Sequence, residues 1–380
     1  MSAEIRVLHL VHTPGPGGTE TVVENLVRWQ PKTIMNQAVA CPNGHLADVA
    51  GHMDTPVYTI PFDLLKRSQN PLSMVTAPRA FSILRQTIRT AVDDFAPVIV
   101  HSHSVKATIL ARHALSGTPG VKLLWHLHDF APLGRFRRFL IALAIRSSDA
   151  IAAVSSDVGQ SVCPGLPVHI VYNAIVPHDP KVSVAPEHED ISDETEKRIT
   201  IGYLGRLHAE KGIPVLLEAF QKLNTDRENI RLIIAGESSI DDNTTRNELE
   251  TYAEHLRIRE KVSFTGRISN ISRFYDTIDV FVLPAPREPF GLVILEALSH
   301  GCPVIACDSG GPHEILQDFS GAILVAPNDP SSLAEALVTM IRDNSYREFA
   351  EVHGPVLIRE AFSPAVQTRS IQSLYEELIA

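Results

Sequence analysis

The sequence predicts an α/β protein built from two parallel-sheet halves, and three observations carry that expectation. Short, nearly continuous apolar runs such as Lys122–Leu127, Ile199–Leu204 and Val280–Leu283 alternate with longer amphipathic segments. Strands covered on both faces read this way, with helical crossovers between parallel neighbours. The length of 380 residues suits two or three domains. Composition breaks sharply over residues 177–197, where prolines give way to the acidic run EHEDISDETEK. Such a stretch buries too little apolar surface to order itself and reads as an interdomain linker.

In the first half, residues 4–11 form a strand that ends at His12. The loop 13–18 leads into a helix over 19–29, apolar at Val22, Val23, Leu26 and Val27. Gly17 and Gly18 allow backbone to approach a ligand, and the helix start offers N–H groups. A tight surface turn explains the same glycines, and the pattern is not the dinucleotide fingerprint. Strands follow at 37–41, 57–60, 98–101, 122–127, 150–154 and 168–171, with a helix over 78–95. Ligands of such sheets lie at the carboxyl ends of the strands, where His12, His101, His103 and His128 fall. His101 and His103 share one strand face. No third or fourth ligand has the spacing that closes a site, so no metal is expected. His126 reads as a packed neighbour further in.

The second half opens with the strand Ile199–Leu204 and the loop 205–212, which carries Arg206 and Lys211. Two cations at a strand's carboxyl end can neutralise a diphosphate and stabilise its departure. Helices over 214–223, 245–256 and 271–275 alternate with strands over 231–235, 262–264 and 280–283. Then comes LPAPREPFGLVILEALSHGCPVIACDSGGPHE, residues 283–314. It reads as strand, loop with Glu288, helix over 292–298 with Glu296, strand over 304–306, and a glycine turn at Gly310-Gly311. The free N–H groups and dipole of a helix start favour phosphate. The flanking carboxylates suit hydroxyl groups, so the layout fits sugar, diphosphate and ribose in order. Closing helices are expected over 331–340 and 364–378.

A formal net charge of −10 argues against a general nucleic-acid binder. Four cysteines without a C-x-x-C pair suit a reducing compartment. The apolar run near the N-terminus is too short for a signal peptide, and no apolar run is long enough to span a bilayer, so a cytoplasmic setting is expected. Residues 134–146 form a helix whose arginines, Arg135, Arg137, Arg138 and Arg146, stand out in an acidic chain. It can lie on an anionic membrane surface, or pack on the core with a solvated basic edge.

Glu288-x7-Glu296, with Phe-Gly between and Gly310-Gly311-x-x-Glu314 behind, resembles the donor-site signature of the retaining glycosyltransferases of family 4. The resemblance implies the GT-B fold, two Rossmann-like parallel-sheet domains facing a central cleft. It bounds them as an acceptor-side domain at 1–176, a linker at 177–198, a donor domain at 199–362 and a last helix at 363–380 crossing back to the first domain. It implies transfer of a hexose-type unit, with retention, from a UDP- or GDP-linked sugar to a hydroxyl on a glycan or lipid-linked acceptor. Arg206 and Lys211 would hold the diphosphate, and Glu296 the ribose. Glu288, Pro289, Phe290, Gly291 and Leu292 would hold the sugar, the last three through backbone amides. Arg267 and Ile268 would border the base. Gly17 and Gly18, followed by Thr19 and Glu20, match the family's phosphate-side loop, and His128 its sugar-contacting histidine. No general base is identifiable; the departing phosphate oxygen would take the acceptor proton on the same face, with no cofactor and no metal. Pro289 departs from the glycine of many relatives and stiffens the loop. A nucleotide-sugar epimerase of the same fold and a non-catalytic nucleotide-sugar-binding subunit are the alternatives. A dinucleotide dehydrogenase fits least.

Overall fold

A computed structural model of the chain describes residues 4–15, 17–30, 35–65, 73–131, 134–179, 198–223, 229–238 and 246–380. The chain divides into two compact units, 1–174 with 364–380, and 175–363. The division falls between Ala174 and Ile175, two residues before the expected 176. The reason is local: the Ile175 N–H already bonds the Phe362 carbonyl, at 3.0 Å, within the second unit. Most of the expected linker, residues 180–197, lies outside the described residues.

The first unit has seven strands, β1 (Ile5–Leu10), β2 (Met35–Cys41), β3 (Val57–Thr59), β4 (Ile99–Ser102), β5 (Lys122–Leu127), β6 (Ala150–Ala153) and β7 (His169–Ile170). They lie in the order β3-β2-β1-β4-β5-β6-β7, all parallel. The crossovers are α1 (Gly18–Trp29), α2 (His45–His52), α3 (Ser73–Phe95), α4 (Val105–Ala114), α5 (Arg135–Ser147) and α6 (Ser156–Val162). The Ser104 and Ser155 side chains cap α4 and α6 by accepting from Ala107 and Val158 amides. Because the order reverses between β1 and β4, the loops after these two strands flank a crevice at the carboxyl edge.

The second unit repeats the design with β8 (Ile199–Leu204), β9 (Ile230–Ala235), β10 (Val262–Gly266), β11 (Val280–Leu283), β12 (Val304–Cys307) and β13 (Ala322–Val325). Their order is β10-β9-β8-β11-β12-β13, again all parallel, so the reversal falls between β8 and β11. Its helices are α7 (Ile213–Leu223), α8 (Arg246–His255), α9 (Ile271–Thr277), α10 (Leu292–Ser299), α11 (Gly310–Leu316), α12 (Pro330–Arg342) and α13 (Ser345–Ala361). The expected glycine turn at Gly310-Gly311 is the first turn of α11. Gly311 is there for close approach and Gly310 for its left-handed φ of +58°. The chain ends in α14 (Pro364–Ile379), which belongs to the first unit and packs on α1. Ile371, Leu374 and Tyr375 of α14 are buried with Ile5, Val7, Val22 and Leu26.

The four cysteines are free and buried, and burial pushes each thiol's pKa up. They are packing residues, inert as nucleophiles. No helix among the described residues is long and apolar enough to cross a membrane.

Candidate active site

The loops after β8 and β11 touch backbone to backbone at the reversal point. Tyr203, buried in β8, donates its hydroxyl to the Arg206 carbonyl at 2.9 Å and pins the first loop. A 3₁₀ turn over Ala209–Lys211 ends at Gly212, whose φ of +70° is left-handed. A Cβ there would lie 2.1 Å from the Pro284 carbonyl oxygen. That approach delivers Lys211 Nζ to 2.6 Å from Glu288 Oε2, with the side chains only 20% and 13% exposed. Arg206, exposed, begins the same loop and is close enough for its charge to act on the Tyr203 phenol. The Tyr203 phenol feels all of this: burial raises its pKa most, the Glu288 charge raises it further, and the Arg206 charge opposes. Two cations and one carboxylate therefore share one strand-end crevice.

Gly291, at φ +96°, turns the second loop into α10. In the first turn of α10 the Ile294 N–H bonds the Gly291 carbonyl at 2.9 Å, while the Leu292 and Val293 amides have no acceptor inside the helix. The start of α11 clamps the same loop. The Gly311 N–H bonds the Glu288 carbonyl at 3.0 Å, and a Cβ on Gly311 would lie 2.3 Å from Phe290 Cα. Phe290 itself is buried against Phe362, with ring centroids 6.1 Å apart, so its side chain is structural. Pro289 is half-buried beside it. Within α10, Glu296 Oε2 accepts from the Tyr275 hydroxyl at 3.0 Å. Burial lifts the Glu296 carboxyl to about 7, against the opposing hydrogen bond from Tyr275. Arg267, exposed, and Ile268, half-buried, follow β10 on the same carboxyl edge. The Gly236 N–H bonds the Gly266 carbonyl at 2.8 Å and ties that strand end to its neighbour.

The structure thus brings Arg206, Lys211, Glu288, Pro289, Gly291, Leu292 and Glu296 to the two loops and one helix at the β8–β11 reversal. Sequence reading missed Tyr203 and Tyr275. Each acts through a hydroxyl aimed at backbone or carboxylate, for which spacing gives no signal.

His128, Gly17 and Gly18 belong to the first unit. Gly17 caps α1 in extended backbone, so it is not there for its φ. A Cβ on it would lie 2.7 Å from a Glu20 carboxylate oxygen, and Glu20, itself buried, accepts from Thr13 Oγ1. His128 follows β5 and sits in a cluster of five histidines. His9 lies beside His101 in the β1–β4 register. The ring nitrogens of His9, His101 and His103, and of His103, His126 and His128, come within 4.8 Å of one another. This corrects the expectation that no third ligand is available: His9 and His126 arrive from other strands, which spacing along one strand hides. The same nitrogens are joined in hydrogen-bonded chains. Gln37 Oε1 meets His9 Nε2 at 2.8 Å, His9 Nδ1 meets His103 Nε2 at 3.2 Å, and His103 Nδ1 meets His128 Nε2 at 2.9 Å. Beside it, Tyr375 Oη meets His101 Nδ1 at 2.6 Å, and His101 Nε2 meets His126 Nδ1 at 3.2 Å. Only His126 Nε2 in this cluster is buried without a hydrogen-bond partner. Burial keeps the rings neutral: it lowers His9 to about 4 and His128 to about 3, and His101, His103 and His126 well below the usual range.

Two doubly wound parallel sheets, one with a cationic, carboxylate-flanked helix start at its reversal point, define a protein of two Rossmann-like α/β units. Residues 16–179 match the family described as Glycosyltransferase Family 4, and residues 184–352 match Glycosyl transferases group 1. The chain belongs to glycosyltransferase family 4, with the GT-B fold. An uncharacterised glycosyltransferase of Methanocaldococcus jannaschii is 31% identical over 219 residues, 54% of each chain. The lipopolysaccharide core biosynthesis mannosyltransferase LpsB of Rhizobium meliloti is 26% identical over 181 residues, 47% of this chain and 52% of that one. The chain spans about half the length of these curated relatives. Among solved structures, Anabaena HepE in complex with UDP and glucose superposes with a TM-score of 0.78 at 19% identity, covering 98% of this chain and 100% of that one. A glycosyltransferase from Rickettsia africae superposes with the same TM-score at 18% identity, covering 99% of each.

Proposed function

We propose that this chain is a retaining glycosyltransferase that moves a hexose-type unit from a UDP- or GDP-linked sugar to a hydroxyl of a glycan or lipid-linked acceptor in polysaccharide or glycoconjugate synthesis. The observation that carries the reading is the contact of Lys211 with Glu288 at 2.6 Å, beside Arg206 and at the mouth of α10. A diphosphate entering that crevice meets two cations and a ring of amides. Lys211 would pass from the Glu288 carboxylate to a phosphate oxygen. Glu288, released, would take sugar hydroxyls, and Glu296 ribose hydroxyls. Arg267 and Ile268 would border the base, and Gly17 and Gly18 would lie against phosphate. Negative charge grows on the diphosphate as the glycosidic bond breaks, so the cations act most strongly on the transition state. The departing oxygen would take the acceptor proton. These cations belong to the protein, so we propose that turnover needs no divalent metal. The Rhizobium meliloti relative, named for lipopolysaccharide core synthesis, and a Staphylococcus aureus relative, named for capsular polysaccharide biosynthesis and 28% identical over 183 residues, support the product class.

Helix α5 supports contact with an anionic membrane. Phe136 and Phe139 are 67% and 62% exposed, among the exposed Arg135, Arg137 and Arg138. Aromatic wedges between cations suit the headgroup boundary of a lipid surface. Membrane contact of this kind would make the chain a peripheral protein of the cytoplasmic face.

The test is a thermal-shift panel of UDP-, GDP- and ADP-sugars, followed by release of nucleoside diphosphate from the stabilising sugar with and without EDTA. The reading expects one donor to raise the melting point and EDTA to leave the rate unchanged. A panel with no shift defeats the donor assignment. Accumulation of an epimer without acceptor identifies an epimerase, and binding without turnover a non-catalytic binder.

A further inference from the structure

We propose that Gln37 sets the tautomer of His128 through a relay of two other histidines, so that His128 Nδ1 is a hydrogen-bond acceptor for a hydroxyl of the transferred sugar. The proton positions follow from one fixed end. The Gln37 side-chain amide donates from Nε2 to the Leu26 carbonyl at 3.2 Å, so its oxygen is the atom 2.8 Å from His9 Nε2. A carbonyl oxygen only accepts, so the proton is on His9 Nε2. A neutral imidazole carries one proton, and His9 Nδ1 therefore presents a lone pair. His103 Nε2 must donate to it, which leaves His103 Nδ1 as an acceptor. His128 Nε2 then donates to His103 Nδ1, and the one nitrogen left without a proton is His128 Nδ1.

Each step depends on the rings being neutral, and burial in the sheet enforces that. His128 is the half-buried end of a chain whose other members, Gln37, His9 and His103, are buried. The relay runs inward from the carboxyl edge to the Leu26 carbonyl, in the last turn of α1. Gln37 is therefore a positioning residue, three side chains from the ligand. The consequence is a selectivity rule. A sugar with a hydroxyl donor at this position is favoured, while a deoxy or O-methyl analogue leaves the nitrogen unpaired.

The assignment of the sugar to His128 rests on the proposed function, but the proton positions do not. Long-range proton–nitrogen correlation spectra of the ligand-free protein, labelled at histidine, report the tautomer directly. The expected result is the Nε2–H form at His9, His103 and His128. The Nδ1–H form at His128, or stoichiometric zinc in the purified protein, overturns the relay, because a coordinated nitrogen carries no proton. Gln37→Met removes the acceptor while keeping bulk. It should mix the His128 tautomers and lower kcat/KM for the intact donor about fivefold to tenfold, the scale of one neutral hydrogen bond. It should also weaken discrimination against the deoxy analogue. Gln37→Glu sets a carboxylate against His9, favours its doubly protonated form and should reverse the relay to the Nδ1–H form at His128. A pure Nε2–H form in Gln37→Met would show that Gln37 sets nothing. Absence of any donor binding with the expected tautomers would remove the glycosyltransferase reading and leave the relay standing.

Discussion

Arg206, Lys211 and Glu296 make separable demands on the chemistry. Arg206→Ala and Lys211→Ala should each lower turnover at least about a hundredfold, the scale of one lost charge stabiliser at a departing anion. Steady-state release of nucleoside diphosphate checks this, and a near-normal rate in either variant removes that side chain from the leaving group. Glu296 has a carboxyl raised to about 7 by burial, so near neutrality it holds a proton part of the time. Ribose hydroxyls would bond more strongly to the ionised form, so donor binding should release up to about half a proton at pH 7. Affinity should fall as pH drops below that value, by at most about tenfold per unit. Titration calorimetry in buffers of different ionisation enthalpy reads the proton, and Glu296→Gln should abolish its release. The roles proposed for these side chains rest on motif spacing, because Glu288-x7-Glu296 and Gly-Arg-x4-Lys-Gly are runs along one chain. Tyr203, Tyr275 and the Gln37 relay were not legible. Their partners are brought together by sheet register, and nothing in the local sequence marks it.

At the scale of elements, two helices carry consequences of their own. The N-terminus of α11 presses on the donor loop, where a Cβ on Gly311 would lie 2.3 Å from Phe290 Cα. Gly311→Ala must push the loop or the helix aside. We expect a loss of about 1–3 kcal/mol in stability, the scale of overpacking, with weaker nucleotide-sugar binding. Melting temperature and donor affinity measured together would test this; no change in either would mean the contact relaxes freely. Helix α5 carries the exposed arginine–phenylalanine surface. Flotation should show binding to anionic but not neutral liposomes. Replacing Arg135, Arg137 and Arg138 by alanine should cut it about a hundredfold, near 1 kcal/mol per arginine. Equal flotation of the Phe136→Ser/Phe139→Ser variant would take the rings out of the contact. Sequence periodicity showed most strands and many of the helices, yet α2, α4 and α13 escaped it, as did β13. Helix α13 contains Pro355, and α2 opens with Gly44 at φ +148°, both of which read locally as breaks.

Over the whole molecule, the buried titratable groups should make the first unit the more acid-sensitive of the two. In the first, desolvation lowers buried His9 to about 4 and half-buried His128 to about 3, against 6.5 when solvated. Unfolding then takes up protons between those values, so stability held above pH 6.5 is lost as pH falls toward 4. In the second, Glu296 binds its proton more tightly folded than unfolded between 4.5 and about 7, so its contribution grows as pH falls. Calorimetric scans at pH 7.5 and 5 should show the first unit's transition dropping relative to the second's. Parallel shifts would mean the histidines do not control acid sensitivity. The discontinuous first unit also bears on the order of events during synthesis. Residues 175–363 are contiguous and can condense as they leave the ribosome, whereas the β1–α1 layer must wait for Ile371, Leu374 and Tyr375 to emerge. The part of the protein made first is thus the part completed last, and a nascent chain halted before residue 364 would carry an open apolar seam for chaperones to guard.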